Sequence, residues 1–252
     1  MSSLFRHALE AIREADIVLE VVDARFAHLM RNKDTEAFLR GKNIPFILVL
    51  NKMDLLHGKS ALILGEKDPN ILAVPVSCAP KKNISRLRFL IFSRLKEGGK
   101  IAIIGYPNAG KSSLINALAG RHAAPTSSQA HFTRGKALVK LKEGVYLIDT
   151  PGVIPIDERD VFQLMLFNAK SVNQLKDVES LAMQLLEWLP AQKYWSDWLF
   201  RSYGISLSGD GDEQLDALAK HWNKMKRGGV ADLHRTAFKL IQDWQNGVKF
   251  SR

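Results

Sequence analysis

Residues 46–54 read Phe-Ile-Leu-Val-Leu-Asn-Lys-Met-Asp, and residues 100–112 read Lys-Ile-Ala-Ile-Ile-Gly-Tyr-Pro-Asn-Ala-Gly-Lys-Ser. Each is a short apolar run that ends in a polar loop, as expected of a strand buried on both faces of a parallel sheet. From Gly105 to Ser112 the second stretch has the form G-x-x-x-x-G-K-[ST], between an apolar strand and a helix. Such a loop cradles phosphates, because its glycines let backbone N–H groups close around an anion at the positive end of the next helix. Pro107, Asn108, Ala109, Gly110, Lys111, Ser112 and Ser113 are the expected phosphate contacts. Lys111 would reach the β- and γ-phosphates, and the Ser112 hydroxyl would ligate Mg²⁺.

The first stretch delivers Asn51-Lys52-Met53-Asp54 at its carboxyl end. A carboxylate such as Asp54 accepts from the N1–H and exocyclic amine of guanine, a donor pair that adenine lacks. Adenine would leave it buried and unpaired, so discrimination should be large. Asn51 would meet the base or pin the loops together, and the Lys52 stem would cover the ring plane. In Ser77-Cys78-Ala79, the N–H near Cys78 would meet guanine O6, with Ser77 bracing the loop. Asp149-Thr150-Pro151-Gly152 ends a further strand. Asp149 would hold Mg²⁺ through water, and the Gly152 N–H would meet the γ-phosphate. Lys111, Thr133 and Gly152 form the expected catalytic set, with Thr133 closing on the metal and Thr126 its competitor.

An ordinary GTPase runs phosphate loop, metal turn, base reader. Here the base reader comes first, so the fold expected is a circularly permuted P-loop GTPase domain of the α/β class. Its mostly parallel sheet would be flanked by helices. Strands are expected over 16–23, 46–50, 71–76 and 100–104, with a hairpin over 136–141 and 145–148 that turns at Glu143-Gly144. Helices are expected over 2–14, 34–41, 83–96 and 111–119, and the polar stretch 121–133 reads as a loop. From about Asp160 only helical periodicity remains, and all five tryptophans lie there. A GTPase domain over 1–172 and an all-α, RNA-binding domain over 173–252 are expected.

With 252 residues, 46% of them hydrophobic, the chain can build a packed core, and no apolar run approaches a bilayer span. The amino-terminal segment lacks the apolar stretch of a secretory signal. Cys78 is the single cysteine, which excludes an internal disulfide and fits a reducing compartment. These features argue for a cytoplasmic monomer away from membranes. A formal charge of +10 favours polyanions through counterion release, though solvated helix faces account for charge equally well. Lys220, Lys224, Lys226, Arg227, Arg235, Lys239, Lys249 and Arg252 form one basic cluster; Arg86, Arg88, Arg94 and Lys96 form a second. Val153 follows the metal turn where Ras-like enzymes place a water-orienting glutamine, so slow intrinsic hydrolysis is expected. Asn108 could hold a monovalent cation near the phosphates or merely stabilise the turn. Gln129 and His131 are further candidates to orient water.

These residues together resemble the circularly permuted GTPases of the YlqF/RbgA family, which assist assembly of the large ribosomal subunit. The likeness rests on Asp23-Ala24-Arg25, the Asn51–Asp54 and Gly105–Ser112 loops, Asp149–Val153 and a closing helix over 232–247. It implies guanine contacts at Asn51, Lys52 and Asp54, with phosphate and metal roles at Asn108, Gly110, Lys111, Ser112, Thr133, Asp149 and Gly152. It also links Asn108 to K⁺ dependence, and makes GTP, GDP, the large subunit and its rRNA the expected ligands. Two departures stand out: the chain lacks the family's WFPGHM-like opening, and it reads Ala-His-Phe-Thr over 130–133 where PGxT is usual. The short form is similar to archaeal members. Two other functions compete, a switch acting on a protein partner and a nucleotide-gated RNA-binding module that barely hydrolyses GTP.

Overall fold

The computed structural model describes residues 3–56, 71–120, 137–149, 160–192 and 195–247. It divides into two compact units, Met1–Ile156 and Asp157–Arg252. The first is built on β1 (Ile17–Asp23), β2 (Phe46–Asn51), β3 (Ala73–Pro75), β6 (Gly99–Gly105), β7 (Ala137–Lys142) and β8 (Val145–Asp149). These form one sheet in the order β3-β2-β1-β6-β8-β7, parallel except for the β7–β8 hairpin. Two-residue strands β4 (Ser77–Cys78) and β5 (Lys81–Lys82) make a separate antiparallel hairpin. All seven residues of β1 are buried, as its nearly continuous apolar run requires of a central parallel strand.

Helices α1 (Ser3–Glu14) and α3 (Lys33–Gly41) cover one face of the sheet. Ala11 and Ile12 from α1 and Leu39 from α3 pack with Val18, Ala102, Ile104 and Ile148 from the strands. Between β1 and α3 the chain makes a 3-10 turn (Ala24–Phe26) and the short helix α2 (Ala27–Met30), which periodicity does not announce. Asp23 starts the turn by accepting from the Arg25 N–H at 3.1 Å. The expected strand over 71–76 is shorter than read, because the chain leaves the sheet at Val76 to make the β4–β5 hairpin. Beyond it lie α4 (Ile84–Arg94) and α5 (Lys111–Ala119), close to their expected spans.

The second unit holds α6 (Val161–Leu166), α7 (Val178–Trp188), α8 (Trp198–Tyr203), α9 (Gly211–His221) and α10 (Leu233–Asn246). Asp160, Asp177, Asp210 and Asp232 cap α6, α7, α9 and α10, each side chain accepting a backbone N–H three residues on. At the centre, Trp244 meets Trp188, Trp195 and Trp198 edge to face, with ring centroids 6.0, 5.2 and 5.2 Å away. Trp244 is core, as read from the sequence, whereas Trp222 is half-buried against Tyr203.

The boundary differs from the 172/173 expectation. Gln245 on α10 donates to the Met165 and Lys170 carbonyls at 3.0 and 2.9 Å and accepts from the Val172 N–H at 3.1 Å. The Trp244 indole donates to the Leu166 carbonyl at 3.2 Å. Residues up to 172 are thus held by the last helix, and a break in periodicity cannot report such contacts.

Glu20 faces the helix side of β1 with no exposure, accepting from the Asn32 N–H at 2.8 Å. Burial pushes its carboxyl up to about 8 against that hydrogen bond, and the neighbouring Glu36 adds to the rise. The folded chain therefore holds a proton that the unfolded chain releases above its ordinary value, so stability falls as pH rises from about 4.5 towards 8. Replacing Glu20 with Gln, which mimics the neutral form, should flatten that decline by up to about 1.4 kcal/mol per pH unit in urea unfolding. Identical slopes for the two proteins between pH 5 and 8 would contradict this assignment.

Candidate nucleotide-binding site

In a doubly wound sheet, ligands bind at the carboxyl ends of strands where the connections diverge. That point lies between β1 and β6: from β1 the chain proceeds outward to β2 and β3, and from β6 it proceeds the other way to β8 and β7. Asp23 is level with Asn51 across β1 and β2, and Val21 is level with Gly105 across β1 and β6. The parallel register thus brings the Asn51 and Ala109 loops, 58 residues apart in sequence, to one edge. Asp149 ends β8, parallel to β6, at the same edge.

The two loops are bonded to each other. Asn51 is only 2% exposed, and its side-chain amide donates to the Ala109 carbonyl at 2.9 Å. Cys78 donates through Sγ to Asn51 Oδ1 at 3.4 Å, which joins the third loop. Gly110 stands where an added Cβ would collide with the Asn51 amide, and its φ of +96° is a left-handed value that strains any side chain. Asn108 also has a positive φ, 57°, a conformation that asparagine tolerates better than most residues.

Helix α5 follows Gly110 without a side-chain cap, unlike the aspartate-capped helices of the second unit. Its first N–H groups can therefore receive an anion. Lys111 folds back to donate to the Gly105 and Tyr106 carbonyls at 2.9 and 2.6 Å. Burial lowers its ammonium to about 8. A phosphate would supply a negative partner for this half-buried ammonium, which here meets two neutral carbonyls.

On the other side, the Ser77 hydroxyl donates to Asp54 Oδ1 at 2.5 Å. Lys52 adopts φ 62°, and its ammonium lies 3.0 Å from Asp23 Oδ2. Asp23 also accepts from Arg25 Nε and Nη2 at 3.0 and 2.8 Å. Burial alone would raise the Asp23 carboxyl, but Arg25 and Lys52 reverse that and hold it at about 2. The ion pair restrains the Lys52 stem along the side of the crevice. The sequence singles out Asp23 only through the family resemblance, and the fold places it in register with Asn51.

Ala79 is exposed beside Cys78, and Pro107, Ser112 and Ser113 lie in or next to the phosphate loop. Thr126, Gln129, His131, Thr133, Gly152 and Val153 lie outside the described residues, as does the side chain of Asp149. No group of three or more His, Cys, Asp or Glu fit to hold a metal occurs among the described residues. The Ser112 hydroxyl in the first turn of α5 nevertheless suits Mg²⁺, which takes few protein oxygens and keeps waters and phosphates as its other ligands.

Gly110→Ala should strain the loop and displace the Asn51 amide, weakening GDP binding at least tenfold with a loss of about 1–3 kcal/mol in stability. Calorimetric titration and urea unfolding check it. Adding Asn51→Ala should recover part of the stability loss; a double variant with fully additive losses would contradict the steric assignment.

The sequence profile of the family described as 50S ribosome-binding GTPase matches residues 100–196, starting within the phosphate-loop strand. An uncharacterized GTP-binding protein of Methanocaldococcus jannaschii is 32% identical over 94% of this chain and 63% of its own length. GTPase grn1 of Schizosaccharomyces pombe is 29% identical over 96% of this chain and 59% of its own. Ribosome biogenesis GTPase A of Bacillus cereus is 26% identical over 98% and 88%. The chain thus spans roughly half to two-thirds of the first two relatives. The GNP-bound structure of YlqF from T. maritima aligns over all of this chain and 98% of its own, with a TM-score of 0.66 and 23% identity. With its Asn51 strand ahead of its phosphate-loop strand, the chain has the fold of a circularly permuted P-loop GTPase domain, shared with YlqF, and is similar in sequence to the GTPases named above.

Proposed function

We propose that this chain binds GTP and GDP, hydrolyses GTP slowly on its own, and acts in assembly of the large ribosomal subunit. In this reading, nucleotide state controls its hold on ribosomal RNA. The observation that carries the proposal is the Asn51–Ala109 hydrogen bond, which makes a guanine-type loop and a phosphate loop one structure. The names of relatives support the ribosomal part: one is a ribosome biogenesis GTPase, and the matching family is described as ribosome-binding.

Asp54 reads the guanine edge, with Lys52 over the ring and Ser77, Cys78 and Ala79 closing the pocket. Asn51 holds the loops together rather than reading the base, the alternative that its carbonyl partner favours. Pro107 to Ser113 surround the phosphates, and Lys111 exchanges its two loop carbonyls for phosphate oxygens. Ser112, Asp149 and Thr133 hold Mg²⁺, which supplies positive charge against the phosphates. Asn108 contributes to a K⁺ site, and Gly152 meets the γ-phosphate. With valine at position 153, water positioning falls to another group, so partner-dependent hydrolysis is expected.

The segment after Gly152 runs directly into the second unit, so ordering it around a γ-phosphate offers a covalent route from nucleotide to helices. That unit carries a groove of about 460 Å³ lined by Lys224, His234, Arg235, Phe238, Lys239, Gln242 and Asp243. Its cations suit RNA phosphates.

Co-sedimentation with large ribosomal subunits tests both halves at once. The wild type should pellet with subunits in a non-hydrolysable GTP analogue and less in GDP. Asp54→Asn should lose that response by tenfold or more in nucleotide concentration and regain it with the xanthine analogue, whose edge pairs with an amide. Pelleting indifferent to nucleotide would remove the switch, and retained guanine preference in Asp54→Asn would remove the base-reading role.

A further inference from the structure

Helix α4 has two unlike faces. Ile84, Leu87 and Ile91 are buried, as is Leu95 just beyond the helix. At about 100° per residue these positions share an arc of roughly 80°. The opposite arc carries Arg86, Phe89 and Ser93, all exposed, with Lys82 in line before the helix. Phe89 is 71% exposed. Single exposed apolar residues are ordinary. What sets this ring apart is its company: residues 81–97 include six cations and one acid, Glu97.

The cations of this segment divide by task. Arg88 donates to the Leu118 carbonyl at the end of α5 and lies 5.3 Å from the Phe92 ring, which Lys142 approaches to 4.5 Å from the neighbouring hairpin. Arg94 turns back on its own helix to donate to the Leu90 carbonyl at 3.1 Å. Lys81, Lys82, Arg86 and Lys96 are exposed, and they flank Phe89 along the helix. A flat apolar ring between cations matches the composition of sites that stack an unpaired base while holding the adjoining phosphates.

We propose that this face of α4, with Lys81–Lys82 at one end and Lys96 at the other, docks an unpaired segment of RNA, one base stacked on Phe89. The inference rests on the ribosomal reading and deepens it, adding an RNA contact on the nucleotide-binding unit to the one on the helical unit. Its position ties it to the nucleotide: β5 pairs with Ser77–Cys78 next to Asp54, and Arg88 joins α4 to the helix that begins at the phosphate loop. RNA held here would bear on both sides of the site.

The full chain, titrated into a labelled single-stranded uridine-rich RNA at constant salt, provides the test by fluorescence anisotropy. Phe89→Ala should weaken binding roughly 5- to 100-fold, and Phe89→Trp should restore it. Arg86→Glu should weaken binding and lower the slope of log affinity against log salt by about one or more. GDP binding and unfolding midpoints should be unchanged in all three. Wild-type RNA binding that is indifferent to Phe89→Ala overturns this site and leaves the ribosomal reading standing. Absence of any RNA binding by the wild type overturns both. Displacement of the RNA by an acidic peptide at equal concentration, with Phe89→Trp no better than Phe89→Ala, would assign the face to a protein partner and overturn the proposal.

Discussion

The site depends on one hydrogen bond, from the Asn51 side-chain amide to the Ala109 carbonyl. It is buried, it closes a separation of 58 residues, and it joins loops that the sheet alone would only leave close together. Its geometry explains the glycine at position 110, because the space a Cβ needs is filled by the amide. An unmade hydrogen bond at a buried carbonyl costs about 1–3 kcal/mol, so the bond is hard to break without disturbing the phosphate loop. Through Cys78 on the same side chain the third loop is joined as well. The proposed guanine and phosphate halves of the site are therefore one unit.

Permutation changes what such a unit can move. The sheet keeps the neighbours that create a crevice between β1 and β6, so binding geometry is indifferent to where the chain begins. The proposed metal turn, however, is followed in sequence by a helical unit instead of further core. That unit has its own centre around Trp244, and Gln245 draws residues up to Val172 into it. The segment that a γ-phosphate would order is thereby the segment that leads into a separately packed body. The proposed switch needs no other link.

Much of this was legible in the sequence because each motif follows a strand too apolar to lie anywhere but the middle of a sheet. Phe46–Leu50 and Lys100–Ile104 fix where Asn51 and Gly105 must emerge, and the register delivers them to one edge. The hairpin turning at Glu143-Gly144 and the helix after the phosphate loop stand where local chemistry placed them. What escaped depends on contacts between distant residues. Periodicity has no means to show Gln245 claiming Met165 and Lys170, so the boundary was read late. The 3-10 turn after β1 rests on Asp23 accepting from Arg25, and the strand before Ser77 ends early to make a hairpin. Asp23 itself stood out only by resemblance; its grip on Lys52 needed coordinates.

Amide hydrogen exchange of the phosphate loop tests the central claim most directly, since it reads the coupling without any nucleotide. In the free protein, Asn51→Ala should speed exchange over residues 105–112 by about tenfold or more, while the amides of α10 keep their protection. Unchanged protection of the phosphate loop in that variant would show that the two loops stand independently, and the account of the site would fail.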